Sequence, residues 1–595
     1  MRTLGFAVAA SAALCAVFGA AGARAAQPKA SVEGDLKPAL RTEIVTAVGE
    51  VDKPIANRFE ARRRAQEAAG DTIAVLRSEG YYGYEVQPDV SDADPPQPLV
   101  KVTPGPRFAI RDPRIEWVGA APVGPAQQAA EALMGLADGE AARAADIISA
   151  EGRVVAAIQK RGYADAAADP RVVTVDHADQ SLQPTFKIAA GDLVRLDGLK
   201  LNSAGRTHPQ WLRSLAPWKP GDVYDPDSVA RLERMLLDTQ VYDSVTVALA
   251  PKEETTADGE RPVVVSLADR ARRRLELGAS YGTTEGPGVN ARWTWFDRLG
   301  RADTLSLFGQ ASSLDSRLGV EASLPHWRRA QQTLKGTADV YRTQTSAYRE
   351  TGVELLADVD RHYTKTSFVT VGAALGYSVT DETAPGTLQP LGQGLVTASL
   401  LGALALDRSD NPLDPKRGWR IEARTEPTLI VGGGEIAYLK VQAQGAVYLP
   451  FDAKGDNVLA GRLKLGSILG GETVPDVPAS RRFYAGGGGS VRGYAYQAIG
   501  PHLADNTPEG GLSLIEASVE MRHKFGSHWG GVVSLDAGSI GSSQIPNGAN
   551  MNLGAGFGVR YDLGFGPIRA DVAVPLHPRS NDAPYQIYIS IGQSF

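Results

Sequence analysis

Beyond residue 26 the sequence contains no cysteine and no run approaching 18 consecutive apolar residues. The first absence excludes a disulfide framework and any thiolate metal site, and the second excludes a helical membrane span. A cationic surplus is also missing: the formal net charge is -6, which leaves no electrostatic footprint for binding nucleic acid. The eight histidines show no metal-ligand spacing, and neither a Gly-x-Ser-x-Gly elbow nor a His-Glu-x-x-His helix occurs. Neither an enzyme nor a metal or other cofactor is therefore expected.

What is present begins with a leader. Arg2 precedes an apolar run from Leu4 to about Gly22, and Ala23-Arg24-Ala25 closes it with the small-residue pattern of a cleavage site, so residues 1–25 read as a secretory signal. Alanines dominate the run, which argues against an uncleaved anchor. The single cysteine, Cys15, lies inside it behind Leu14, a side chain too large for a lipoprotein signal, and the exported chain would carry no thiol.

Three segments of the first half end alike: "LRSEGYYGYEV", "IQKRGYADAAA" and "LLDTQVYDSVTV", with Tyr81, Tyr163 and Tyr242 spaced by 82 and 79 residues. Each follows a helical stripe: Ala65, Ala69, Thr72 and Leu76; Ile147, Ala150, Val154 and Ile158; Val229, Leu232 and Leu236. Asp225 and Pro226 supply a cap and a first-turn proline to the last of these helices. Alternating strands follow each tyrosine, as in Val245, Val247 and Leu249 and then "VVVSL" from Val263. The unit is β-α-α-β-β, and its length predicts a tandem array of small domains over 28–106, 107–190 and 191–269.

From residue 270 to 595 the helical period disappears. Leu275, Leu277, Ala279 and Tyr281 alternate with Arg274, Glu276, Gly278 and Ser280; Ile515, Ala517, Val519 and Met521 alternate with Glu516, Ser518, Glu520 and Arg522; and Ile587, Ile589, Ile591 and Phe595 are placed on one face. Strands that are apolar outward and polar inward, at roughly 20 residues per strand and connection, predict an outer-membrane barrel of about sixteen strands. An even count suits closure, which satisfies every backbone group in lipid. A soluble sandwich gives similar alternation, so the motifs must decide.

Residues 482–501, "RFYAGGGGSVRGYAYQAIGP", place Gly486, Gly487, Gly488 and Gly489 beside a cation, which raises the possibility of a phosphate cradle. No Gly-Lys-Ser/Thr follows and the glycine spacing is wrong, so that reading is set aside. The stretch instead resembles the signature of the Omp85 superfamily, whose long sixth extracellular loop folds back into the barrel on a Val/Ile-Arg-Gly-Phe/Tyr tip, here Val491, Arg492, Gly493 and Tyr494. The three repeats resemble that family's POTRA domains, "PVVVSLADRARRRLELGASYGTTEG" its repeat-to-barrel junction, and "NPLDPKRGWRI" a mid-barrel motif; three repeats with sixteen strands are similar to its TamA branch.

The resemblance implies a lumenal carboxylate pair for Arg492. Alternation through "GVVSLDAGS" sends Ser534, Asp536 and Gly538 inward, and Glu520 points inward one strand earlier; Asp536 and Glu520 match the family's partners, although Ser534 stands where Phe or Gly is frequent. The glycines would allow the loop to turn into a crowded lumen. By the same resemblance the protein sits in the outer membrane of a Gram-negative bacterium with its repeats in the periplasm. There it handles client outer-membrane proteins such as autotransporters at the seam between Arg274–Gly282 and Gln586–Phe595. It would work with a TamB-like protein anchored in the inner membrane and docked on the first repeat, and Phe595 would be the terminal signal read by the BAM machinery. A dedicated secretion channel and a plain porin are the alternatives.

Overall fold

The computed structural model describes residues 27–595 apart from 204, 283–285, 384–389, 433–434, 565 and 581. The expected signal peptide and Cys15 lie outside the described residues. The chain divides into two compact units, one running to Asp197 and adding Lys219–Ser228 and Pro251–Arg261, the other made of Gly198–Trp218, Val229–Ala250 and Pro262–Phe595.

In the first unit each repeat packs two helices on a small sheet. Helix Arg58–Ser78 starts where Asn57 accepts the Glu60 backbone N–H, which satisfies one orphan donor of the helix start, and the Glu60 carboxylate accepts the N–H of Ala56 just ahead of the cap. Its stripe of Ala61, Ala65, Ala68, Ala69, Thr72 and Leu76 is buried with Ile44, Val100 and Val102 of the same repeat. The second repeat closes a core of its own around Ile147, Ala150, Val154, Ile158, Phe186 and Ile188. All three repeat tyrosines are buried, at 7, 5 and 3% exposure for Tyr81, Tyr163 and Tyr242, which explains why the chain ends each unit alike.

Just past Tyr163, Asp165 receives a bidentate pair from Arg261, Nη1 to Oδ1 at 2.9 Å and Nη2 to Oδ2 at 2.6 Å. These hydrogen bonds hold the Asp165 carboxyl below its ordinary range, against a smaller opposing effect of burial. A carboxyl depressed in the folded state stabilises above its unfolded value, about 3.9, and that stabilisation fades as pH falls through the lowered folded value. Asp165→Asn is expected to destabilise the repeats by about 1 kcal/mol at neutral pH, with the gap to the wild type closing below about pH 4, as read by calorimetric transitions of both proteins.

The second unit contains a sheet of sixteen antiparallel strands in sequential order from Arg273–Gly282 to Gln586–Ile591. Strand Tyr242–Leu249 of the third repeat pairs with Glu260–Asp269, which leads into the first barrel strand. The third repeat is tied to the barrel's near-side turns: Thr207 Oγ1 donates to Asp297 Oδ2 at 2.7 Å and lies 2.7 Å from the Tyr242 hydroxyl. His326 Nε2 lies 3.1 Å from the Met235 carbonyl oxygen.

Alternation sorts the barrel side chains as the sequence predicts. Leu277, Val371, Leu400, Val533 and Phe557 are 59–75% exposed on the outside, an apolar surface suited to acyl chains, while Glu516, Ser518, Glu520, Ser534 and Asp536 are buried inside. No helix among the described residues is long and apolar enough to cross a membrane.

Two expectations are corrected. The lumen is not polar throughout: Leu395, Ile430, Ile468, Leu514 and Ile540 point inward and pack with Val477, Phe483, Val491, Tyr494 and Ile499 of the long loop 470–512. Inward apolar residues are stable there because the loop, and not water, covers them. Phe595 does not share the outward face of Ile587 and Ile589. The strand stops at Ile591, Gly592 turns at φ 88°, and the terminal residues enter the barrel.

Candidate functional site

The lumenal site is built from four strands and the loop. Ser513–Phe525 and Trp529–Gly541 pair in a register that sets Ser518 opposite Asp536 and Glu520 opposite Ser534, so the two carboxylates lie diagonally on the inner face. Pro567–Pro575 presents Arg569 and Asp571 on the same face, opposite the glycine-rich inner face of Asn552–Asp562, where Gly558 opposes Asp571.

Loop 470–512 delivers Arg492 into this cluster at 2% exposure. Its Nε donates to Asp536 Oδ2 at 2.6 Å, its Nη2 to Asp536 Oδ1 at 2.9 Å and its Nη1 to Glu520 Oε1 at 2.6 Å. Its backbone N–H also donates to Asp536 Oδ2, at 3.1 Å. A planar guanidinium cannot shed its charge, and one fork held by two carboxylates is the arrangement that compensates its burial. The structure thus brings together the three charged residues singled out from the sequence.

It adds members that the sequence reading passed over. Asp571 Oδ2 stands 3.8 Å from Arg492 Nη1, and Asp571 Oδ1 receives Arg560 Nη1 at 2.5 Å. Arg522 Nε donates to Glu520 Oε2 at 2.8 Å. Arg462 Nη1 and Nη2 donate at 2.9 Å to the carbonyls of Gly489 and Ser490, and Glu516 accepts the Ser490 hydroxyl. The alternation of "PIRADVAVP", with Ile568, Val572 and Val574 outward, was a sufficient signal for Asp571.

Val491 and Tyr494 flank the arginine and are both buried in the apolar cluster. The Tyr494 hydroxyl donates to the carbonyls of Leu553 and His577. Gly493 N–H donates at 3.2 Å to the Tyr588 hydroxyl, which itself donates at 2.9 Å to the Tyr494 carbonyl. Tyr588 belongs to Gln586–Ile591, so the loop tip is tied to the last barrel strand. Gly486, Gly487 and Gly493 have φ of 110, 103 and 98°, a region where a side chain is strained. Gly488 abuts the Tyr588 ring, whereas a Cβ on Gly489 would meet nothing within 4 Å, so the fourth glycine is not required by packing.

At the seam, no hydrogen-bonded ladder among the described residues joins Arg273–Gly282 to Gln586–Ile591. The last strand pairs through six residues with Pro567–Pro575 on its other side. Phe595 lies inside against Ala446, Tyr448, Val458 and Ala460. No cluster of described residues could hold a metal ion.

Comparison with known proteins agrees with this architecture. The outer membrane protein assembly factor BamA of Neorickettsia risticii is 21% identical over 434 residues, 69% of this chain and 56% of the relative. A SAM50-like protein of Drosophila melanogaster is 24% identical over 54% of this chain and 74% of its own length. The chain thus spans little more than half of the Neorickettsia relative. Among solved structures, BamA of Haemophilus ducreyi lacking POTRA domains 1–3 superposes with a TM-score of 0.66 at 17% identity, covering 82% of this chain and all of that one, which is a likeness of fold. Residues 297–595, half of the chain, match the Omp85 superfamily domain, and the chain belongs to the Omp85 superfamily.

Proposed function

We propose that this protein is an outer-membrane assembly factor of the TamA type, which inserts and translocates client β-barrels such as autotransporters through its strand seam. It has no catalytic role and carries no cofactor. The barrel lies in the outer membrane of a Gram-negative bacterium, the POTRA repeats lie in the periplasm, and the first repeat receives a TamB-like partner anchored in the inner membrane. Phe595 also serves the BAM machinery when this barrel is itself assembled.

The observation that carries the reading is the seam, where the described residues of the first and last strands form no ladder. Unpaired strand backbone at the edge of a membrane barrel is unstable in lipid and accepts an incoming strand, whose folding and burial supply the free energy. The relatives named as assembly factors point the same way.

The test closes the seam. The only cysteine of the sequence is Cys15, so one thiol introduced in Arg273–Gly282 and one in Gln586–Ile591 can be joined by a short reducible linker without competition. Client autotransporter assembly in proteoliposomes is expected to fall about tenfold or more when the linker is in place and to recover on reduction. Undiminished assembly through a closed seam would reject the reading. Fast solute flux in liposomes would favour a porin, and block of a steady conductance by one cognate protein would favour a dedicated secretion channel.

A further inference from the structure

Three successive turns at one end of the barrel repeat a pattern that neither the loop nor the seam explains. Turn 297–303 joins Gly286–Phe296 to Thr304–Ala311, turn 325–331 joins Asp315–Leu324 to Gln332–Gln344, and turn 363–367 joins Arg349–His362 to Phe368–Thr383. Each presents two exposed cations beside one apolar or aromatic side chain. Arg298 and Arg301 flank Leu299, which is 60% exposed; Arg328 and Arg329 follow the half-buried Trp327; and Arg361 and Lys365 flank Tyr363, which is 59% exposed.

The chain as a whole is acidic, with 68 Asp and Glu against 62 Lys and Arg, yet these turns expose no carboxylate. Asp297 and Asp303 are buried and engaged with backbone: Asp303 accepts the N–H groups of Arg298 and Leu299 at 3.1 and 2.8 Å, and Asp297 that of Ala302 at 2.9 Å. Inward cations of the same strands have partners, as Lys335 has Asp360 at 2.5 Å. None of the six outer ones forms an ion pair with a described residue. Farther round the rim, turn 408–417 mixes Arg408 and Arg417 with Asp410 and Asp414, and turns 451–456, 526–528 and 563–566 contain no Lys or Arg other than Lys454. The charge therefore forms an arc that begins beside the first strand.

The display is held in place. In turn 325–331 His326, Arg328 and Gln331 have φ of 54, 59 and 60°, a region that a side chain occupies only where its surroundings enforce it. His326 Nδ1 accepts the Gln331 N–H at 3.0 Å. The Arg328 guanidinium lies 4.4 Å from the centroid of the Trp327 ring, and that of Arg361 lies 5.8 Å from the Tyr363 ring. Aromatic side chains at the rim of a membrane barrel settle at the boundary between acyl chains and headgroups. Cations stacked on them sit at the depth of lipid phosphates, which a guanidinium binds through two parallel N–H donors. Like charges crowded on one arc also repel, and an anionic surface offsets that repulsion.

We propose that this arc is a docking surface for the headgroups of anionic phospholipids in the periplasmic leaflet, with Leu299, Trp327 and Tyr363 entering the acyl boundary and the six cations receiving phosphate. An acidic protein segment would need only the cations; the apolar side chain repeated beside each pair selects a lipid. The proposal rests on the reading that this end of the barrel faces the periplasm.

The test places the full chain in phosphatidylcholine bilayers with trace spin-labelled phosphatidylglycerol or phosphatidylcholine, and electron paramagnetic resonance counts the label immobilised on the protein. The wild type is expected to favour phosphatidylglycerol about threefold, and the preference is expected to vanish in 1 M salt. Arg328→Gln with Arg329→Gln is expected to halve it, and glutamine at all six positions to bring the ratio to about one, while Lys454→Gln leaves it unchanged. All six side chains are exposed, and heat-modifiability on gels confirms that each variant is folded. Equal immobilisation of the two lipids by the wild type, a preference that survives all six substitutions, or an equal loss in Lys454→Gln would overturn the proposal. Displacement of the lipid by inorganic phosphate at matched ionic strength would assign the cations to a free anion and overturn it as well. Lipid preference is read without client or seam, so its failure leaves the assembly reading standing, and failed assembly with an intact preference leaves the docking surface standing.

Discussion

Arg492→Ala is expected to give a barrel that still folds and remains heat-modifiable on gels, but whose loop 470–512 becomes sensitive to proteinase K and whose client assembly falls about tenfold or more. The substitution removes one cation from between Asp536 and Glu520, both at most 1% exposed, and from 3.8 Å of Asp571. Removing one partner of a buried pair costs about 3–5 kcal/mol, because it strands the opposite charge. That cost falls on the docking of the tip and not on the barrel, whose sixteen-strand ladder does not involve the loop. Asp536→Asn is expected to act similarly but more weakly, since Glu520 still holds Nη1. The double substitution should be no worse than Arg492→Ala alone, because each removes the same contact. Normal client assembly by a barrel whose loop is demonstrably released would reject the loop as a functional lock.

The lock reaches the seam by a short route. Arg492 sits one residue before Gly493, whose N–H donates to Tyr588 of the last strand. The tip therefore restrains the strand that, at the seam, has no described ladder partner. Under the proposed function, release of the tip is expected to remove this restraint on the last strand, and the protease and assembly readouts of Arg492→Ala test that expectation.

How much of this was legible in the sequence depends on what each residue's position obeys. The barrel strands were readable because a side-chain period of two leaves no freedom once one face meets lipid. The same rule placed Asp536 and Glu520 inside, and the Val-Arg-Gly-Tyr tip supplied the partner. Asp571 obeys that rule too and was overlooked because its strand carries no recognisable motif. Leu514 and Ile540 fall at inward positions of ordinary alternation and form a core only because Val477, Phe483, Val491, Tyr494 and Ile499 of the long loop fold onto them. Phe595 was misplaced for a different reason. Extending the alternation of Ile587 and Ile589 through Gly592 ignored a glycine at φ 88°, and a break of that kind cannot be told from a strand glycine by pattern alone.

Glu520→Ala is expected to release the loop tip and the tail together, which none of the neighbouring substitutions should do. Glu520 is fully buried, with Oε1 accepting Arg492 Nη1 and the Ser594 hydroxyl and Oε2 accepting Arg522 Nε. Its loss leaves Arg522 without its carboxylate and Arg492 hydrogen-bonded to Asp536 only, with Asp571 at 3.8 Å, a penalty of about 3–5 kcal/mol divided between two elements. Tryptic cleavage after Arg492 reports the loop, since that residue is 2% exposed while docked, and carboxypeptidase removal of Phe595 reports the tail. Both rates should rise in Glu520→Ala, the loop rate alone in Asp536→Asn, and the tail rate alone in Phe595→Ala, where the enzyme would remove the terminal alanine. If Glu520→Ala frees only one of the two elements, the carboxylate is not the joint between them, and the loop and tail must be regarded as separate restraints on the same barrel.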